Sequence, residues 1–207
     1  RNAQLFAEAR EGIGRAAGEA TLRGVGVDAW GVDYALLDGH GGVLGLPFHY
    51  RDDRTVQGVE SVHARVPFAE LYQRNGLQFL PFNTLYQYVT ERSLADADAA
   101  LLIPDLVAHL LTGAVVAERT NASTTGLVDV RTGRWDTDLA ERLGIPSGVL
   151  PRLIDPGERL GNLRGRARER VGAALEVVAV GSHDTASAVV AVPLASSSAA
   201  YISCGTW

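Results

Sequence analysis

A chain of 207 residues with 46% hydrophobic and 21% charged residues can build the core of one ordinary domain, or of one domain and the start of a second. Its 19 basic residues against 24 acidic ones give a net charge of −5, which argues against a nucleic-acid binder, and no apolar run approaches the roughly 20 residues of a membrane helix. Every basic residue is an arginine, which excludes a Schiff-base lysine and a Walker-type phosphate lysine within the chain, while the single Cys204 has no partner for an internal disulfide and points to a reducing cytosol.

In chain order, residues 1–15 carry charge throughout and place Leu5, Phe6, Ala9 and Ile13 at helical spacing, a charged amphipathic helix rather than a signal peptide. Val25, Val27 and Ala29 alternate with glycine and aspartate, Tyr34 and Leu36 alternate less cleanly, and Asp38-Gly39-His40-Gly41-Gly42 is a strong turn signal. Together they predict a meander of short strands from about Val25 to Phe48. Helices follow. Val56, Val59 and Val66 share a face, and Leu85, Tyr88 and Val89 come after a cap at Asn83 or Thr84. The clearest helix opens at Pro104, carries the stripe Ile103, Leu106, Val107, Leu110 and Leu111, and stops at Gly113. Residues 121–125 and 145–161 read as loops with short elements. The alternating Arg164, Arg166, Arg168 and Arg170, diluted by Glu169, read as a solvated face.

Val177-Val178-Ala179-Val180 suits a strand buried on both faces, broken by Gly181, with Ser182 or Asp184 capping a helix to about Val192. Pro193 to Ser198 reads as a linker of small residues, and Ala199 to Cys204 as a new strand that buries Cys204. The class is α/β. Methionine is absent, including at position 1, and Tyr201 to Trp207 stop in what reads as a strand and its turn, so the chain is expected to be a fragment.

Four segments carry chemistry. In Gly181-Ser182-His183-Asp184-Thr185, a carboxylate just past the end of a buried strand lies where open α/β sheets bind ligands, and can take a proton from a substrate hydroxyl. The same aspartate can simply cap the helix, and from position alone that is the stronger reading; His183 taken alone reads as structural. In Gly26-Val27-Asp28-Ala29-Trp30-Gly31-Val32-Asp33, a flat indole beside polar groups and a glycine suits a sugar face, and suits a hairpin with a core tryptophan equally well. Tyr50-Arg51-Asp52-Asp53-Arg54 reads first as a salt-bridged helix start and second as a substrate network. Ser203-Cys204-Gly205-Thr206 is a strand running into a turn of the kind that presents N–H groups to phosphate, a weak signal by itself. The five histidines are scattered without metal-ligand spacing.

Taken in order, these segments closely resemble the rhamnulokinase branch of the FGGY carbohydrate kinases. So do Gly76-Leu77-Gln78-Phe79-Leu80-Pro81-Phe82-Asn83-Thr84, Ile103-Pro104-Asp105, Thr120-Asn121-Ala122-Ser123-Thr124-Thr125 and Ser182-His183-Asp184-Thr185-Ala186-Ser187. The resemblance implies an actin-like (RNase-H-like) ATPase fold of two α/β domains around a cleft. Residues 1–193 then match the first, sugar-binding domain and 194–207 the start of the second, nucleotide-binding one. It implies Asp184 as the base that deprotonates the sugar hydroxyl, with Gly31, His183, Asp184 and Thr185 contacting the sugar and Thr206 beginning the ATP site.

The implied reaction is phosphorylation of a ketose, L-rhamnulose to L-rhamnulose 1-phosphate, by ATP with Mg²⁺, in the cytoplasm and without nucleic-acid or membrane partners. One departure matters. The Asp-x-Gly phosphate hairpin that opens such kinases has no match here, so the actin-like domain is expected to be incomplete and the fragment inactive alone. The rivals are a kinase of the same family acting on another ketose, a non-catalytic sugar-binding fragment, and an actin-like chaperone ATPase, which gives no reason for Trp30 or for Phe79 to Phe82.

Overall fold

A computed structural model describes residues 2–172, 174–196, 198–202 and 204. The elements run α1 (Asn2–Glu19), β1 (Tyr34–Leu37), β2 (Val43–Leu44), α2 (Thr55–His63), α3 (Phe68–Asn75), α4 (Thr84–Tyr88), β3 (Ala99–Leu102), α5 (Ile103–Thr112), β4 (Val116–Glu118) and α6 (Arg119–Ala122). They continue with α7 (Thr137–Leu143), β5 (Arg152–Ile154), β6 (Arg159–Asn162), α8 (Gly165–Val171), β7 (Glu176–Val178) and α9 (Asp184–Val190).

β1 is the centre of an antiparallel sheet ordered β2-β1-β3, with Leu36 opposite Leu44 and Tyr34 opposite Leu102. The Asp38–Gly42 turn joins β1 to β2: the Asp38 carboxylate accepts the His40 and Gly42 N–H groups at 2.9 and 2.8 Å. The imperfect alternation of β1 has a physical cause, because both of its faces are covered. Tyr34 and Leu36 enter the main core with Val62, Leu71, Leu85, Tyr86, Leu127, Leu139 and Leu143, while Ala35 and Leu37 pack with Ala99, Leu101 and Leu106 on the other side.

α5 ends as the sequence predicts, with Gly113 at φ 82° closing the helix through its N–H to His109 O. Its apolar residues divide between two cores rather than lining one. Leu106 and Leu110 face the sheet, whereas Val107 and Leu111 join Leu163, Ala167, Leu175 and Val177, onto which α1 lays Phe6 and Ile13. A helix apolar nearly all round is a buried one. The 145–161 region holds two strands: β5 runs parallel to β4, and β6 pairs antiparallel with β7.

Two expectations are corrected, and of the two open readings of Trp30 one falls. The meander does not begin at Val25: residues 25–29 form an extended segment parallel to residues 177–183, bridged at Val25–Val177 and Ala29–His183, and only β1 and β2 form the hairpin. Residues 199–202 and 204 are not in a strand, and Cys204 is exposed rather than buried. A strand needs partners to cover it, and here Ile202 is 87% exposed. Trp30 is not a core tryptophan, being 36% exposed at the surface.

Candidate active site

The two parallel segments end together. Ala29 N–H donates to Ser182 O at 3.0 Å, and Asp184 N–H donates to Ala29 O at 3.0 Å, so the chain leaves this edge through Trp30-Gly31 on one side and His183-Asp184 on the other. Here two parallel extended segments end, one of them continuing from β7, in the kind of place where α/β sheets offer their ligand crevice.

Asp184 is the first residue of α9, and the helix cap is His183, which makes no side-chain cap bond. The cap position is thus one residue earlier than the sequence reading put it, but Asp184 still satisfies one amide of the helix start. Its Oδ1 accepts the N–H of the adjacent Thr185 at 2.7 Å, and among the described residues nothing bonds Oδ2. The side chain is 56% exposed. His183 Nε2 lies 3.6 Å from Asp184 Oδ1. Burial holds the His183 pKa below its ordinary value, against the opposing pull of Asp184 and Glu118, so the ring is neutral near pH 7. A neutral imidazole can orient a hydroxyl without placing a second charge beside the carboxylate.

Gly31 is buried against the segment that follows α6. A Cβ there would come within 2.9 Å of Thr124 Oγ1 and 3.2 Å of Asn121 Oδ1, so no larger residue fits without displacing Thr124. The next residue, Val32, is a β-branched side chain held at φ 69°. Such a conformation persists only where the surroundings over-determine it. Here Thr84 Oγ1 and Gln87 Nε2 both donate to Val32 O, at 2.9 and 3.1 Å, and Asp33 N–H closes a tight turn onto Gly31 O. The result turns Trp30 outward, with its Nε1–H on Asp33 Oδ2 at 2.9 Å. Asp33 is buried, which raises its pKa despite the indole bond.

Of the other predicted residues, Thr185 follows Asp184 on α9, partly buried. Thr206 lies outside the described residues, as do Ser203 and Gly205 of the same turn. The charged Tyr50–Arg54 segment is a salt-bridged helix start: Arg54 caps α2, meets Glu91 at 2.8 Å and lies 3.9 Å from the centre of the Phe48 ring.

Sequence reasoning gave no role to the two acids behind the loop, although Asp105 stands in one of the segments that carry the resemblance. Glu118 and Asp105 are 1% and 5% exposed. Glu118 accepts Ser182 N–H and Ser182 Oγ–H, each at 2.9 Å, and Asp105 accepts Glu118 N–H at 3.1 Å. The available signal was a lone glutamate ending the apolar run Ala114 to Ala117, just before Thr120-Asn121. Among the described residues no three His, Cys, Asp or Glu side chains gather as a metal cage.

This α/β frame, with an exposed carboxylate and a histidine where two parallel extended segments end, has the form of a sugar-kinase domain. Residues 3–191 match the model of the N-terminal domain of the FGGY family of carbohydrate kinases, and the chain belongs to that family. Its fold is shared with the gluconate kinase of Lactobacillus acidophilus (TM-score 0.77, 17% identity, 88% of this chain and 38% of that one) and the xylulose kinase of Rhodospirillum rubrum (TM-score 0.75, 22% identity, 87% and 39%).

Curated proteins similar in sequence carry a more particular name. The chain is 44% identical over 191 residues to the rhamnulokinase of Pectobacterium carotovorum (88% of this chain, 37% of the relative). It is also 44% identical over 209 residues to that of Klebsiella pneumoniae (98% and 42%). The chain thus spans about two fifths of the length of these relatives.

Proposed function

We propose that the enzyme carrying this chain transfers the γ-phosphoryl group of ATP to a ketose, L-rhamnulose, giving L-rhamnulose 1-phosphate, and that Asp184 is its general base. The observation that carries the reading is the Asp184 carboxylate itself. It is exposed where two parallel extended segments end, keeps Oδ2 unbonded among the described residues while Oδ1 holds the Thr185 amide, and lies beside His183, whose burial lowers its pKa. Phosphoryl transfer asks a protein chiefly for positioning and charge neutralisation, and a carboxylate aligned on the attacking hydroxyl contributes about 10²–10⁴-fold.

In this reading Asp184 takes the proton of the attacking hydroxyl while His183 and Thr185 hold its neighbours. Gly31 meets the sugar through its backbone, the space of its missing side chain being filled by Thr124, and the outward face of Trp30 packs on the sugar's C–H groups. Residues 1–193 form the sugar-side domain, and 194–207 lead into the nucleotide side, where Thr206 meets ATP. ATP and its Mg²⁺ supply the phosphoryl group and neutralise its charge. The cytoplasm is the proposed compartment, and among the described residues no helix is long and apolar enough to cross a membrane.

The substrate is supported by the name that the 44%-identical relatives share. A coupled ADP-release assay across ketoses tests it: L-rhamnulose should give the highest kcat/KM, and equal turnover of xylulose or ribulose would refute the substrate assignment.

A further inference from the structure

We propose that Glu118 is the positioning residue of the base-bearing loop: a carboxylate buried behind Ser182 and His183 sets the direction in which Asp184 meets the substrate. The inference rests on the reading of Asp184 as the base.

Among the described residues five donors converge on this one side chain. Oε2 accepts Ser182 N–H and Oγ–H at 2.9 Å each, Asn121 N–H at 3.2 Å and Thr120 Oγ–H, while Oε1 accepts Thr120 N–H at 2.8 Å. Three of these donors are backbone N–H groups, toward which the side chain can only be an acceptor. Among the described residues no cation pairs with it, since the adjacent Arg119 turns to Asp155. The carboxyl oxygens are met by N–H and O–H groups instead.

Capping accounts for part of this. Glu118 precedes α6 and satisfies the Thr120 and Asn121 amides, as an N-cap should. The Ser182 bonds go beyond that role, because they reach 64 positions along the chain to the residue before His183. Thr120 extends the tether, its Oγ1 lying 3.5 Å from His183 N. Below, Glu118 N–H is fixed by the buried Asp105 on α5. The loop that carries His183 and Asp184 is therefore fastened from behind through the Glu118 side chain, in front by the Ala29 bonds, and from α9 by Ser187, whose Oγ–H reaches Gly181 O at 2.6 Å and whose N–H reaches His183 O at 3.0 Å.

The test is Glu118→Gln in the enzyme that carries this chain. The amide keeps the size but turns an acceptor into a donor aimed at other donors. Two readouts are taken below the melting transition: hydrogen exchange at the Ser182 and His183 amides, and kcat and KM for the ketose per folded molecule. Exchange should quicken at least about tenfold and kcat should fall about 10–100-fold, the scale expected for a misplacement near 1 Å. Glu118→Asp, which restores the charge, should recover part of kcat.

A Glu118 that merely stabilises the fold would lower the melting temperature and leave kcat untouched, which overturns the proposal, as does faster exchange with kcat unchanged. If the unsubstituted enzyme phosphorylates no ketose, the functional reading fails separately, and exchange alone decides whether the tether exists. Should Glu118→Gln not fold, Ser182→Ala removes a single bond to the carboxylate. A fall in kcat of about two- to fivefold with faster Ser182 exchange supports the proposal, and wild-type values for both overturn it.

Discussion

Replacing Asp105 with asparagine should make the protein more stable at neutral pH. Burial, with the Glu118 charge adding to it and the Glu118 N–H bond opposing it, raises the Asp105 pKa from its ordinary 3.8 to about 8. The folded chain therefore holds this proton across a pH range in which the unfolded chain has released it. The contribution to stability is complete below the unfolded pKa and is lost as pH rises toward the folded one, at about 1.4 kcal/mol per pH unit. At pH 7 the wild type thus loses about 4 kcal/mol relative to acid conditions.

The substitution Asp105→Asn removes the proton linkage and keeps an oxygen for Glu118 N–H. It leaves a buried N–H where Asp105 Oδ2 has no partner, at about 1–3 kcal/mol. The variant should gain about 1–3 kcal/mol at pH 7 and fall level with or below the wild type near pH 4. Urea unfolding of both proteins at unit pH steps from 4 to 8 measures this. A stability difference that stays flat across the series would refute the reasoning, because it would mean that Asp105 is already ionised in the folded state at pH 7.

Three further substitutions probe other parts of the account. Gly31→Ala places a methyl 2.9 Å from Thr124 Oγ1 and should raise KM for the ketose about tenfold in steady-state assays, with a smaller effect on the melting temperature. Gly58→Ala drives a Cβ to 1.9 Å from the Tyr86 carbonyl oxygen, a backbone atom that cannot swing aside, and should destabilise by about 3 kcal/mol or more in denaturant titration. Arg54→Ala strands Glu91, whose side chain is 10% exposed, and should destabilise by about 3–5 kcal/mol at pH 7. Burial raises the Glu91 pKa, but Arg54, the Ser93 N–H and Tyr34 together hold it below the usual range. That stabilisation is present above the unfolded pKa and lost as pH falls through the folded one, so the effect of Arg54→Ala should shrink toward pH 3 in the same titration.

Features set by neighbours in sequence were legible before the structure: the Asp38–Gly42 turn, the start of α5 to within a residue at Pro104 and its stop at Gly113, and the first helix, read over residues 1–15 and found at Asn2–Glu19. Features set by distant partners were not. Val25 to Ala29 alternates like a hairpin strand, but its mate is residues 177–183, and only the fold brings them side by side. Ala199 to Cys204 has strand-forming residues, yet composition does not supply a partner strand. Asp184 was legible as a carboxylate past a strand; that His183 rather than Asp184 caps the helix was not. Asp105 and Glu118 were invisible as a pair because each reads alone as an ordinary polar residue, and their burial and mutual contact arise where α5, β4 and the 182 loop converge.

The most direct test of the central claim is single-turnover phosphoryl transfer by Asp184→Asn in the enzyme that carries this chain, with ketose affinity measured in parallel by calorimetry. The account predicts sugar binding within a few-fold of wild type and a transfer rate lower by about 10²–10⁴-fold. Transfer at a near-normal rate with binding intact would contradict it.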